Sequence, residues 1–244
     1  MMGSVFLAGA AGAVGRRLCL ILVADGWKVV GTTRSPDKAA ALKAIGVEPV
    51  IVDVFDEAAL RDAAIRARPE TVIHQLTDLP PGLDPAKMTA ARERNTRIRE
   101  IGTRNLVAAA VAAGAKRLVA QSIAFAYAPG PMPYREESPL NLVTTDPAGG
   151  SARGAASLEL QVLGAPLTGI VLRYGRLYGP GTGFDQPPAG GPLHVDAAAD
   201  AARRTLTRGG TAIYNIAESD GTVLCKKAEM ELGWRPDFRI VEPA

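Results

Sequence analysis

The chain has 244 residues, of which 47% are hydrophobic and 22% are charged, and its formal net charge is +3. This mixture is typical of a globular protein, and the length suits one main domain. The low net charge argues against a nucleic-acid-binding surface, and no apolar run reaches the ~18 residues that a membrane span needs. We therefore expect a globular protein that binds neither nucleic acid nor membrane.

The two cysteines, Cys19 and Cys225, fall in separate predicted helices and lack the spacing of metal ligands. We interpret them as buried thiols in a reducing compartment. The first residues show no basic stretch followed by an apolar run and a small-residue cleavage site. The sequence thus predicts a cytoplasmic protein without a metal site.

The first predicted element is a strand that leads into a glycine-rich turn and a helix. The apolar residues 5–8 are followed by Gly9, Gly12 and Gly15, and then by the helix-like residues 16–22. Glycine lets the backbone turn sharply and approach a pyrophosphate closely, and the helix amino terminus offers N–H groups and partial positive charge to the anion. This pattern predicts a dinucleotide site, with an ordinary tight βα turn as the alternative interpretation.

Strands and helices alternate strictly along most of the remaining chain. This alternation predicts a Rossmann-like α/β fold, in which a doubly wound parallel sheet binds ligands at the carboxyl ends of its strands. Further strands are predicted at 27–33, 49–53, 71–74, 117–122 and 168–172. Helices are predicted at 36–45, 56–66, 85–113 and 151–162.

Two stretches rich in proline and polar residues, 129–147 and 184–192, are predicted to be loops. We expect residues 1–166 to form the dinucleotide-binding core, to which the sixth strand, 167–173, returns. Residues 174–244 are expected to form a small substrate-side lobe of the same compact domain. The elements predicted there are a helix at 194–208, a strand at 212–216 and a last helix at 222–232 that ends at Gly233.

Short motifs recur in a fixed order from one end of the chain to the other. After the glycine loop come Asp53-Val54-Phe55-Asp56, Val72-Ile73-His74, Gly102-Thr103-Arg104-Asn105-Leu106, Leu172-Arg173, Leu177-Tyr178-Gly179-Pro180-Gly181, His194-Val195-Asp196, Tyr214-Asn215-Ile216, Lys227-Ala228-Glu229 and Leu232-Gly233-Trp234-Arg235-Pro236. In this order they resemble the extended short-chain dehydrogenase/reductase family, also called the NAD-dependent epimerase/dehydratase family. The resemblance implies an oxidoreductase or epimerase that binds NAD(P), and a homodimer formed through the 85–113 helix.

The resemblance also indicates where the cofactor binds. It places Asp53 against the adenine, whereas Asp56 is better suited to cap the following helix. The turn after the second strand carries Arg34 and no carboxylate, which favours the 2′-phosphate of NADP over NAD, with a solvated turn arginine as the alternative. Asp37 is assigned to the first turn of the next helix. The expected cofactor-binding residues are Gly9, Ala11, Gly12, Ala13, Val14, Gly15, Arg34, Asp53, Val54, Gln75 and Leu76.

The acid/base pair of the family is missing from this sequence. Members of the family use a tyrosine with a lysine four residues later, and alignment on Glu159 puts Ser151 and Ala155 at those two positions. Serine is too weak an acid to replace the tyrosine, and alanine carries no charge. Arg99 is a further departure, because the family usually has asparagine there.

Several other residues are candidates for a substitute chemistry. Ser122 is a candidate to polarise the substrate, although the strict family position falls on Ile123. Tyr174 is a candidate acid/base beside the nicotinamide, with packing against the cofactor as the alternative. The candidate substrate contacts are Tyr127, for which core packing is the alternative, and Arg153 and Arg176, which suit an anionic substrate. We interpret His74 as buried near the cofactor and His194 as a residue that closes the lobe.

Two functions are consistent with a predicted cofactor site that lacks the tyrosine and lysine of the family. One is an NADP-dependent oxidoreductase or epimerase-like enzyme that moves a hydride to or from a small carbonyl or alcohol with a non-standard acid/base. The short 184–192 loop makes a nucleotide-linked sugar a poorer substrate than a small molecule. The other is a catalytically silent NAD(P)-binding sensor or scaffold, which the missing tyrosine and lysine favour.

Overall fold

The structure is a computed structural model that describes residues 2–144 and 147–241. Its centre is a seven-stranded sheet in the order β3-β2-β1-β4-β5-β6-β9, and every neighbouring pair is parallel. The predicted doubly wound Rossmann-like fold is confirmed. The strands are β1 (Ser4–Ala8), β2 (Lys28–Thr33), β3 (Glu48–Ile51), β4 (Thr71–His74), β5 (Arg117–Ile123), β6 (Thr168–Tyr174) and β9 (Ala212–Ile216).

Helices cover both faces of this sheet. They are α1 (Ala13–Ala24), α2 (Pro36–Ala44), α3 (Glu57–Ala67), α4 (Met88–Arg97), α5 (Thr103–Ala112), α6 (Pro147–Leu163) and α7 (Val195–Arg204). The single helix predicted at 85–113 is wrong, because a π-helix (Ile98–Gly102) separates α4 from α5. A Cβ atom on Gly102, at the end of this π-helix, would lie 3.2 Å from the Val54 side chain.

The core forms two layers, one on each face of the sheet. Val5 and Leu7 of β1 pack towards α1 and α7, whereas Phe6 and Ala8 pack towards the layer that contains α3, α5 and α6. All four are buried, since successive side chains of a strand point to opposite faces and helices cover both. This is why the strand looks continuously apolar in the sequence.

Two elements of the predicted lobe belong to these layers. Strand β9 pairs with β6 at the sheet edge, and α7 packs against α1. A separate parallel pair, β7 (Arg176–Tyr178) and β8 (Pro192–His194), flanks the loop predicted at 184–192.

The last predicted helix is wrong at its start. Val223 instead forms a bridge with Tyr134, and a short π-helix, Ala228–Leu232, ends at Gly233. Cys225 therefore precedes the helix. Both cysteines are free and buried, as predicted, and burial raises the pKa of Cys19 and of Cys225 to about 12.

Two features are absent from the described residues, 2–144 and 147–241. None of the helices described there is long and apolar enough to cross a membrane. The same part of the chain holds no cluster of three or more histidine, cysteine or acidic side chains arranged to bind a metal ion.

Candidate cofactor and reaction site

The glycine-rich turn between β1 and α1 requires glycine at two positions. Gly9 has a φ of +88°, and a Cβ atom there would lie 2.6 Å from the backbone of Gln75. A Cβ atom on Gly15 would lie 2.1 Å from the carbonyl oxygen of Gly9. Gly12 precedes α1 and provides no side-chain cap, so the first N–H groups of the helix are left for a ligand.

A cavity of about 500 Å³ opens at the carboxyl ends of β1, β2 and β4. The strand order reverses between β1 and β4, which is where doubly wound sheets bind dinucleotides. Of the expected cofactor residues, Gly9, Ala11, Gly12, Arg34, Asp53, Val54, Gln75 and Leu76 line it, whereas Ala13, Val14 and Gly15 form the start of α1 beside it.

Two polar groups of the cavity fit a dinucleotide. Asp53 accepts a hydrogen bond from the Phe55 N–H at 2.9 Å and still lines the cavity with its carboxylate. The side-chain oxygen of Gln75 is buried without a hydrogen-bond partner among the described residues. An unpaired buried acceptor is costly, so this atom suits a hydroxyl or amide donor of the cofactor.

The turn after β2 carries positive charge at the rim of the cavity. Arg34, Ser35 and Lys38 all line it, and Arg34 lies 3.5 Å from the Asp78 carboxylate, which also binds Arg94 at 3.2 Å. Lys38 was missed by the sequence analysis. Its position four residues after Arg34, on the first turn of α2, is the signal that would have identified it.

The helix caps in this region follow the sequence analysis. Asp56 accepts a hydrogen bond from the Ala59 N–H at 3.0 Å and caps α3, as predicted. Ser35 caps α2, and Asp37 lies in the first turn of that helix. Asp56 thus has a structural role, which leaves Asp53 to face the cavity.

Helix α6 presents small residues at the two positions where the resemblance predicts an acid/base pair. Ala155 is fully buried and packs with Ile123, Ala126 and Ala152. Ser151 is half-buried, and its carbonyl oxygen accepts a hydrogen bond of 3.2 Å from Arg99. The sequence from 147 to 163 contains neither tyrosine nor lysine. This helix therefore supplies no phenol or ammonium group.

Ser122 belongs to a buried polar network at the ends of β5 and β6. Its hydroxyl donates to Glu159 at 2.7 Å, and the same carboxylate receives two bonds of 2.8 and 2.7 Å from Arg173. Arg173 also donates to the hydroxyl of Tyr127, which in turn donates to Asn215. Burial alone would lower the pKa of Arg173, but its bonds to Glu159 hold that pKa above its usual value. The sequence analysis missed this network.

Tyr174 is buried below the end of β6. Its hydroxyl donates to the carbonyl oxygen of Ala198 at 2.9 Å and accepts a bond of 3.2 Å from the Gln75 amide. Burial raises the pKa of Tyr174 above its ordinary value. The phenol touches a residue that lines the cofactor cavity, but it is held in the core by both partners.

The other candidate substrate residues lie in different surroundings. Tyr127 stacks on Tyr134 with ring centroids 5.0 Å apart. Arg153 donates to the carbonyl oxygens of Leu142 and Thr144 at 3.3 and 2.7 Å. The structure does not bring Arg153 into contact with Ser122 or Tyr174, since it binds a surface loop.

Arg176 follows β6 and is exposed. Its guanidinium stacks 4.8 Å from the ring centroid of Phe125, which follows β5. Both residues are at the carboxyl edge of the sheet, on the side where a doubly wound fold binds ligands.

The two histidines have structural partners. His74 is buried, its Nε2 lies 3.1 Å from the Thr103 hydroxyl, and its Nδ1 accepts from the Leu76 N–H. Burial and the charge of Arg99 lower the pKa of His74 to about 3, so its ring is neutral. His194 caps α7 by accepting from the Asp196 N–H, and burial lowers its pKa.

Comparisons with known proteins agree with this geometry. The 3-diazoavenalumate denitrifying reductase of a Streptomyces species is 40% identical over 229 residues, which are 93% of this chain and 72% of that protein. The UDP-glucose 4-epimerase of Thermotoga maritima has a similar fold, with a TM-score of 0.77 at 17% identity over 97% of this chain and 94% of that one. The Bifidobacterium longum UDP-glucose 4-epimerase, solved with NAD⁺ and UDP, gives a TM-score of 0.76 at 20% identity over the same shares.

At these identities, the epimerases show a shared fold and no more. The sequence model of a family described as NAD(P)H-binding matches residues 9–158, which include the glycine-rich turn, the cavity and most of α6. This chain belongs to the NAD(P)H-binding family.

Proposed function

We propose that this protein is an NADP-dependent reductase that delivers a hydride to a small aromatic diazo compound and releases dinitrogen. A reduced nicotinamide supplies the hydride when it is bound. The cavity and its orphaned Gln75 oxygen support cofactor binding. The 40% identity to a reductase whose name states a diazo substrate and denitrification supports the substrate class.

One observation carries the choice of reaction: a cavity is lined by the glycine-rich turn, whereas α6 has Ser151 and Ala155 at the two positions where the resemblance predicts an acid/base pair. Reduction of a carbonyl forms an alkoxide, which needs a proton from a nearby acid. Replacement of a diazo group needs no such acid, because the leaving group is neutral dinitrogen. The loss of the proton donor is thus compatible with full activity on this class of substrate.

The balance of the proposed step supports this argument. The hydride forms a new C–H bond with its own electron pair, and the C–N bond breaks with its pair passing to nitrogen. The arenediazonium ion is reduced by two electrons, the nicotinamide is oxidised by two, and N₂ leaves. The single positive charge moves from the diazonium ion to the oxidised nicotinamide, and no proton enters or leaves.

The preference for NADP over NAD rests on the rim of the cavity. Arg34 and Lys38 line it beside Ser35, and no carboxylate occurs between residues 31 and 35. A 2′-phosphate carries extra negative charge, which guanidinium and ammonium groups bind through charge-assisted hydrogen bonds. A carboxylate at this turn would bind the ribose hydroxyls of NAD instead.

Reduction of a small carbonyl is the second candidate, and the position of Ser122 at the end of β5 favours it. In that reaction, the hydroxyl would leave Glu159 and polarise the substrate, with Tyr174 as acid. Both hydroxyls are already hydrogen-bonded in the core, which is why we rank this reaction second. A silent NAD(P)-binding sensor or scaffold is the remaining alternative.

Isotope transfer tests the proposed reaction directly. The protein is incubated with a 4-hydroxybenzenediazonium salt and either 4R- or 4S-deuterated NADPH, and the products are analysed by mass spectrometry and for N₂. We expect phenol that carries one deuterium at the former C–N carbon from one of the two cofactors only. A Gly15→Val variant, which cannot form the turn, serves as the control for the uncatalysed reaction.

The alternatives give different results in the same assay. Turnover of a panel of aldehydes and ketones, without deuterated phenol above the control, would favour the carbonyl reductase. Tight NADPH binding without turnover of either class would favour the silent sensor. Equal deuterium transfer from both cofactors would mean that the hydride is not delivered in the protein.

A further inference from the structure

Arg99 lies between a residue that lines the cofactor cavity and helix α6. Arg99 lies in the π-helix, directly after Ile98, which lines the cavity, and its Nη1 donates to the Ser151 carbonyl at 3.2 Å. The π-helix therefore contacts the cavity through one residue and α6 through the next. Single π-helical turns are frequent at functional sites.

The guanidinium of Arg99 has donors to spare. It carries five N–H groups, and the bond to Ser151 is the one hydrogen bond that it makes within the described parts of the chain. No carboxylate of those residues lies within ion-pair distance, and Arg99 is nevertheless half-buried. A partly desolvated cation with unused donors is expected to bind an anion or a strong acceptor.

The surrounding charged groups do not provide that anion. Glu159 acts on Arg99 at longer range, but its two oxygens are already bound by Arg173 and Ser122. The ring of His74 is neutral and therefore adds no positive charge beside the Arg99 guanidinium. Burial lowers the pKa of Arg99 to about 10, which leaves it charged at neutral pH.

We propose that Arg99 binds a carboxylate of the substrate and thereby orients the ring at the reaction site. This inference rests on the proposed function, because it places an aromatic anion beside the cofactor cavity. It differs from the expectation that Arg153 or Arg176 binds an anionic substrate. Arg153 is engaged by two loop carbonyls, and Arg176 is exposed and stacked on Phe125.

Binding of two matched probes tests the role of Arg99. Isothermal titration calorimetry, with NADP⁺ saturating, compares 4-hydroxycinnamate with its neutral amide in the wild-type protein and in Arg99→Gln. A charge-assisted hydrogen bond predicts that the substitution weakens the carboxylate about 10- to 100-fold and the amide less than about 3-fold. Arg153→Gln, which changes a nearby arginine of α6, is expected to leave both affinities unchanged.

The outcomes separate binding from a structural role. Equal weakening of both probes by Arg99→Gln would overturn the proposal, as would a wild-type protein that does not prefer the carboxylate. If Arg99→Gln does not fold, Arg99→Lys takes its place; it keeps the charge but not the planar fork, and part of the preference should remain. The readout involves no turnover, so a protein that binds the carboxylate but leaves diazo compounds intact would contradict only the proposed function.

Discussion

The two halves of the sheet carry different kinds of side chain at their carboxyl ends. Around β1, β2 and β4, the turn glycines, the Asp53 carboxylate and the Arg34 guanidinium are all arranged around one cavity. Around β5, β6 and α6, a buried ion pair and small side chains fill the region where the resemblance to the dehydrogenase/reductase family predicts a proton relay. The comparison teaches that cofactor binding and proton transfer are separable, because they use different strands and different helices.

Loss of Gly15 from the glycine-rich turn should have the largest effect, because it would disrupt cofactor binding at the β1, β2 and β4 half of the sheet. A Cβ atom at position 15 would lie 2.1 Å from the Gly9 carbonyl oxygen, so Gly15→Ala must shift the turn. We expect NADPH affinity, measured by nicotinamide fluorescence, to fall at least about 100-fold, since the pyrophosphate and the helix amino terminus would no longer align. Gly210→Ala, where a Cβ atom meets nothing within 4 Å, is the control. Unchanged affinity in Gly15→Ala would refute the assignment.

Breaking the buried ion pair should have the next largest effect, on stability. Glu159→Ala leaves the guanidinium of Arg173 buried without its carboxylate, and the Ser122 hydroxyl loses its acceptor. We expect the free energy of unfolding in urea to fall by about 3 to 5 kcal/mol. The exposed pair between Lys28 and Glu48 offers the control, Glu48→Gln, which should have little effect. If Glu159→Ala loses as little unfolding free energy as Glu48→Gln, the buried network does not stabilise the fold.

Reversal of charge at the cavity rim tests whether the cofactor half of the sheet selects NADPH over NADH. Arg34→Asp should weaken NADPH about 10- to 100-fold and leave NADH unchanged or tighter, because a carboxylate repels the 2′-phosphate and accepts from the ribose hydroxyls. The measurement is a pair of titrations followed by nicotinamide fluorescence. Lys43→Asp, an exposed change on the same helix α2, is the control. If NADPH and NADH weaken equally, Arg34 does not select between them.

His74 lies at the boundary of the two halves and predicts a pH dependence. Its pKa is about 3 when folded and about 6.5 when unfolded, so the unfolded chain binds the proton first as the pH falls. Stability from the neutral ring is present above pH 6.5 and is lost on acidification. Wild-type protein should lose about 2 kcal/mol more than His74→Asn between pH 7 and pH 5 in urea unfolding. Equal losses of unfolding free energy in the wild type and in His74→Asn would show that the His74 ring can be protonated in the folded protein.

Removal of one hydroxyl should have the smallest effect and separates the two candidate reactions. Ser122→Ala deletes a donor to Glu159, which is still held by Arg173. For diazo reduction we expect kcat to change less than about 3-fold, whereas loss of a polarising group in carbonyl reduction costs about 100-fold or more. Tyr174→Phe provides the parallel measurement for the second hydroxyl. A large loss in diazo turnover would place Ser122 in the reaction.

The sequence by itself determined the parallel sheet, the glycine-rich turn and the absence of tyrosine and lysine from α6. These features depend on local pattern: apolar runs of strand length, glycines where a backbone must approach closely, and residue types that either can or cannot transfer a proton. The sequence also identified Asp56 as the cap of α3; Asp53 lines the cavity, and its contact with adenine stays a prediction. The π-helix at 98–102 was not predicted, since the sequence pattern of 85–113 does not distinguish a π-helical turn from an α-helix.

Tertiary structure decided what the remaining polar residues do. Ser122, Glu159 and Arg173 are up to 51 positions apart, and only the packing of α6 on β5 and β6 brings them within hydrogen-bonding distance. The same packing places Arg99 against Ser151 and commits Arg153 to a surface loop. A side chain's partners depend on which elements meet in space, and hydrogen bonds act over about 3 Å regardless of separation along the chain.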